Sequence, residues 1–174
     1  MLTILLAAAA FAHADPATIG CPLAGLTAGQ VEGFTAYVRE HRGGPDDPRF
    51  VPVTEAVVAC RQRLGWSESA AWWSRIHAIG VTGTSIARQR LAARGTNLAA
   101  VEAAIVDDAP LTQAIATANM QNQPRDFLAR HGDVLDPLVR AVPEAERQAM
   151  VAELGDFILF YALQQYSRAQ FATE

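Results

Sequence analysis

The sequence predicts an all-α fold: one single-domain bundle of about seven to nine short helices, closed by a long apolar C-terminal helix. Three observations carry this expectation. Apolar residues recur at helical spacing over nearly the whole chain. Gly or Pro interrupts the pattern about every 10 to 15 residues, as short loops between consecutive helices require. Alanine, the strongest helix former, fills 34 of the 174 positions.

Residues 1–14 have the pattern of a signal peptide. Leu2 to Phe11 is apolar apart from Thr3, and Ala12-His13-Ala14 is the small-x-small pattern at which a signal peptidase cuts, leaving Asp15 as the new amino terminus. The apolar run is about half of the roughly 20 residues a membrane-spanning helix needs, and no later segment is long enough, so no transmembrane anchor is expected in the mature chain. The n-region carries no Lys or Arg, which departs from the usual pattern. Cys21 follows Ile19-Gly20, but His13, Asp15 and Pro16 separate it from the apolar run, a poor fit to lipid attachment. A periplasmic or secreted location follows.

Residues 15–26 read as an extended N-terminal segment and 27–174 as the helical domain. Thr27 opens the first helix, with Gln30 three residues on to complete a capping box. Val31, Phe34 and Val38 form its inner stripe, and Arg39, His41 and Arg42 suit the negative end of its dipole. After a loop over 43–52, a second helix runs to Leu64 with Val53, Val57, Cys60 and Leu64 on one face, and Gly65 ends it. Ser67 caps a third helix holding Trp72, Trp73, Ile76 and Ile79, which is expected to stop at Gly80 before a Gly/Thr turn over 80–85. Helices to Arg94, from Asn97 to Asp108 and from Leu111 to Met120 come next, and Pro124, Asp133 and Pro143 each look like the start of another. The last runs from Pro143 almost to the end, with a weak point at Gly155. Its segment Phe157 to Leu163 is apolar on every face, which suits the central rod of the bundle or, as the second reading, an oligomer interface.

Two cysteines in an exported chain suggest pairing. Cys60 lies on the inner stripe of its helix, and Cys21 sits in a segment that can be pinned across it. Closing such a loop stabilises a fold by about 4 kcal/mol in the chain-entropy account.

No motif for catalysis, metal or nucleotide binding stands out, and no cofactor is expected. The chain has no Lys, which removes Schiff-base chemistry and the phosphate-gripping residue of a P-loop. No His or Cys spacing suggests a metal. The densest cluster of chemistry-bearing residues is 60–80, which holds Arg61, Arg63, Trp72, Trp73, Arg75 and His77. His77 shares a helix face with Trp73 and is the one weak catalytic candidate, for a small hydrolase or transferase that would need an acid from the C-terminal helices.

Charge is unevenly spread. Residues 15–60 carry net −3, 61–94 net +5 and 95–174 net −6. The Arg-rich middle either pairs with the acidic ends across the bundle or presents a basic face to an anionic partner, an acidic protein or lipid headgroups. A net charge of −4 disfavours nucleic acid. The leading expectation is a non-catalytic module that binds a protein, lipid or small apolar ligand, with contacts through Arg61, Arg63, Arg75, Arg88 and the Trp72-Trp73 edge. An oligomeric scaffold built through Phe157 to Leu163 is the third reading.

Overall fold

In the computed structural model, residues 14–40, 44, 46–117 and 123–174 are described. The expectations for the signal peptide up to His13, for His41 and Arg42, and for Met120 fall outside them. Asp15 does not begin an extended segment: its carboxylate accepts from the Ala17 amide and opens a 3-10 turn, Pro16–Thr18, followed by the short helix α1, Cys21–Ala24. Proline in both first turns favours coiling over extension. The expected extended stretch is therefore corrected to two short helical turns.

Thr27 and Gln30 form the capping box at the head of α2, Ala28–Glu40, with the Thr27 amide donating to Oε1 of Gln30 at 2.9 Å. Phe34 and Val38 of α2 are buried with Phe50 and Val53 beside α3, Val51–Leu64, whereas Val31 and Leu64 are exposed and leave the stripes assigned to them. Leu64 is the last residue of α3, beyond the reach of the helix face that packs. Gly65 takes the left-handed conformation at φ 67° and its amide bonds back to the Arg61 carbonyl, which ends α3.

The largest departure from expectation is α4. Instead of stopping at Gly80 it runs unbroken from Glu68 to Ala93, capped by the Ser67 hydroxyl on the Ala70 amide. Gly80 and Gly83 are not turn residues but notches. A Cβ on Gly80 would lie 2.7 Å from the backbone nitrogen of Gln164, and one on Gly83 would collide with the ring carbons of Phe160. The missing side chain of Gly80 lets α4 and the last helix touch backbone to backbone, and that of Gly83 makes room for the Phe160 ring.

Beyond α4 come α5, Ala99–Asp107, and α6, Ala109–Thr117, whose first turn is capped by Asp108 on the Leu111 amide. Next is α7, Gln123–Arg140, which breaks helical geometry at His131 (φ −125°, ψ 32°), two residues before the Asp133 start expected from sequence. The last is α8, Glu144–Phe171, continuous through Gly155. Among the described residues these eight helices form a single all-helical domain without strands.

Helix α8 is the central rod. It packs along α4 and also touches α5, α6 and α7. In its apolar segment Phe157, Ile158, Phe160 and Ala162 are buried and Leu159, Tyr161 and Leu163 half-buried, so the chain's own helices cover that stretch. The two rods are antiparallel: contacts link Ser69 to Glu174, His77 to Ser167, Gly80 to Gln164, Gly83 to Phe160 and Arg94 to Glu153. No helix among the described residues is long and apolar enough to cross a membrane.

Candidate functional site

The residues singled out over 60–80 gather at the corner where α3 turns into α4. Gly65 and Ser67 set that turn, and Trp66 between them is buried, its ring meeting Phe171 of α8 edge-on at 5.1 Å. From the other side, Glu174 accepts hydrogen bonds from the Ser67 and Ser69 hydroxyls at 3.1 and 2.6 Å. That places a carboxylate at the positive end of the α4 dipole. Asp15 and Glu174 both border a cleft of about 210 Å³ here, floored by Trp66.

Cys21 and Cys60 lie at disulfide distance, with Cα atoms 6.2 Å apart, and so tie α1 to α3. Cys60 is only 4% exposed, in the apolar cluster of Ile19, Val57, Trp66, Ala70 and Phe171, while Cys21 is partly exposed. Arg63 donates from Nη2 to the sulfur of Cys21 at 2.9 Å. Sequence reasoning put Arg63 on a partner-binding surface and missed this contact, which spans 42 positions and has no local signature.

The three tryptophans separate. Trp66 is in the core, and Trp73 is half-buried with its ring edge-on to Tyr166 at 5.6 Å. Trp72 stands 48% exposed with the Arg75 guanidinium over its ring at 4.5 Å. Three residues apart on a helix, the two share one face, and stacking leaves the guanidinium edge free to donate. Neither Arg75 nor the exposed Arg61 has a carboxylate partner among the described residues, although Glu68 lies one turn before Trp72 on the same face.

Arg88 is occupied differently. It pairs with Glu102 at 2.7 Å and lies over the Phe157 ring at 5.6 Å. Arg90 and Arg94 likewise reach the acidic C-terminal helix, at Asp156, Glu146 and Glu153. The basic middle of the chain thus divides: its second half pairs with carboxylates within the bundle, and its first half has no such pair among the described residues.

His77 faces α8 and is 7% exposed. Its Nδ1 lies 3.2 Å from the Gln164 carbonyl and 3.3 Å from the Ser167 hydroxyl, which itself donates to Gln164. Burial, reinforced by the nearby Arg168 charge, holds its pKa below the ordinary 6.5 despite the opposing hydrogen bond that the imidazole donates to the Gln164 carbonyl. A neutral imidazole with Nδ1–H donating to a carbonyl is a tie between two helices. The acid that hydrolase chemistry needs is not among its described partners, and Ser167 is fully buried beside it.

A second cleft, of about 180 Å³, opens between α5, α6 and α8, bordered by Val106, Thr112, Gln165 and Tyr166. No group of three or more His, Cys, Asp or Glu able to hold a metal occurs among the described residues.

Fold and site together define an all-helical, single-domain protein with a cysteine pair at bonding distance and an exposed tryptophan-arginine stack at its tied corner. No known protein family, curated protein or solved structure matches the chain.

Proposed function

We propose that this is an exported binding module, disulfide-tied, that holds a partner through Trp72 and Arg75, with the exposed Arg61 as a further contact. The partner presents an anionic group next to an apolar surface, as an acidic protein or a lipid headgroup does. One observation carries the reading: a half-exposed indole with a guanidinium stacked on it and no carboxylate to satisfy that charge among the described residues. An exposed Trp offers a large rigid contact area at low entropic cost, and Trp and Arg dominate the energetics of interfaces. Export rests on the signal-peptide pattern of residues 1–14 and on the cysteine pair, which persists as a disulfide in an oxidising compartment. Arg88 drops out of the contact surface, because Glu102 already holds it.

The test compares wild type with Trp72→Ala, Arg75→Glu and Arg88→Glu in two arms: sedimentation with phosphatidylglycerol vesicles and capture of envelope proteins on the immobilised chain. Binding in one arm that is lost in the first two variants and kept in the third is the expected result. Binding indifferent to Trp72 and Arg75, or absent from both arms, contradicts the proposal.

A further inference from the structure

We propose that Cys21 is the entry thiol through which the bridge is installed by a dithiol–disulfide oxidant, with Arg63 as the residue that positions and charges it and Cys60 as the thiol that closes the bond. The inference rests on the exported, oxidised state of the chain, but not on the Trp72 surface.

The two sulfurs differ in exposure and in direct contact with a cation, two properties that govern thiol exchange. Cys60 is 4% exposed among Val57, Trp66, Ala70 and Phe171, where an oxidant has little approach. Apolar burial also disfavours its thiolate. Cys21 is partly exposed, on a four-residue helix at the surface, and has the Arg63 guanidinium 2.9 Å from its sulfur. A cation at that distance favours the thiolate, which is the nucleophile in exchange.

The order of steps follows. The Cys21 thiolate attacks one sulfur of the oxidant's disulfide, forming a mixed disulfide and expelling the other oxidant sulfur as thiolate. Cys60 gives up its proton to water and attacks the Cys21 sulfur, forming the bridge and expelling the second oxidant sulfur. Two protein thiols are oxidised, one oxidant disulfide is reduced to two thiols, and the protons pass from the cysteines to the oxidant through solvent. In reverse the same asymmetry protects the bond. A reductant can reach only Cys21, and attack there must expel a Cys60 thiolate into the apolar cluster, whereas the well-stabilised leaving group, Cys21, requires attack on the sulfur that is covered.

The test uses the reduced full-length protein and oxidised glutathione at less than one equivalent, quenched with acid and peptide-mapped. Glutathione should appear on Cys21 in about tenfold excess over Cys60. With Cys60→Ser to remove the closing step, Arg63→Gln should slow glutathionylation of Cys21 several-fold near neutral pH and move its rate–pH profile upward, with Arg63→Lys restoring most of the rate. Equal labelling of the two cysteines, preferential labelling of Cys60, or a profile unchanged by Arg63→Gln overturns the proposal. If Cys60→Ser does not fold, the same Arg63 comparison is read from the first mixed disulfide in the two-cysteine chain.

Discussion

The two ends of the α4–α8 pair are held together by different physics. At the end where α4 begins, the largest contacts are buried, Trp66 edge-on to Phe171 and His77 bonded to Gln164, beside the exposed Ser67 and Ser69 hydrogen bonds to Glu174 and with the Cys21–Cys60 pair tying α1 to α3 nearby. At the end where α4 finishes, Arg94 grips Glu146 and Glu153 at 2.7 and 2.8 Å and Arg90 approaches Asp156 at 3.8 Å, all on partly exposed side chains over the apolar core of Leu91, Leu154 and Phe157. The contrast separates ties that act through burial from ties that salt can screen. Only the first kind should govern stability near the corner where α3 turns into α4.

Truncation at the buried end should have the largest effect. Phe171→Ala removes a fully buried ring against Trp66 and should cost about 3–5 kcal/mol, read from urea unfolding. A loss below 1 kcal/mol would mean that the last turn of α8 is not anchored as described. Next comes pH. Because the folded-state pKa of His77 is depressed, the unfolded chain takes up its proton first. The contribution of His77 is therefore complete above about 6.5 and is lost as pH falls below that value. In His77→Gln the unfolding midpoint should fall less between pH 7 and 5 than in wild type, and parallel curves would contradict the assignment. The smallest effect belongs to the exposed end: Arg94→Ala should lower the melting temperature slightly in low salt and not at all in 1 M salt. An effect indifferent to salt would erase the contrast.

Much of this architecture is legible in the residues. The caps at Thr27 and Ser67, the inward Cys60 and the buried C-terminal rod all follow from local chemistry and period, since each depends on residues within a few positions of one another. The glycine seam was not legible. Gly80-Val-Thr-Gly-Thr-Ser85 has the composition of a turn, and only the approach of Gln164 and Phe160, about 80 positions away in sequence, makes a continuous helix the better solution. At the candidate site, the sequence marked Trp72, Arg75 and His77 but could not sort them. Exposure placed Trp72 at the surface, and a partner on α8 turned His77 inward. Arg63 and Arg88 looked equivalent because charge runs do not name their partners; one meets a sulfur and the other a carboxylate. An acid in the last position, Glu174, gave no hint that it would complete the cap of α4.

The most direct test of the account is the stability of Gly80→Ala. If residues 80–85 were an exposed helical stretch or a loose turn, alanine would raise stability by up to about 1 kcal/mol through helix propensity and a less flexible unfolded chain. Because the new methyl would meet the Gln164 backbone at 2.7 Å, α4 and α8 must be forced apart, and the variant should instead lose about 1–3 kcal/mol in urea unfolding. A midpoint equal to or above that of wild type would contradict the backbone-to-backbone seam on which this description of the bundle rests.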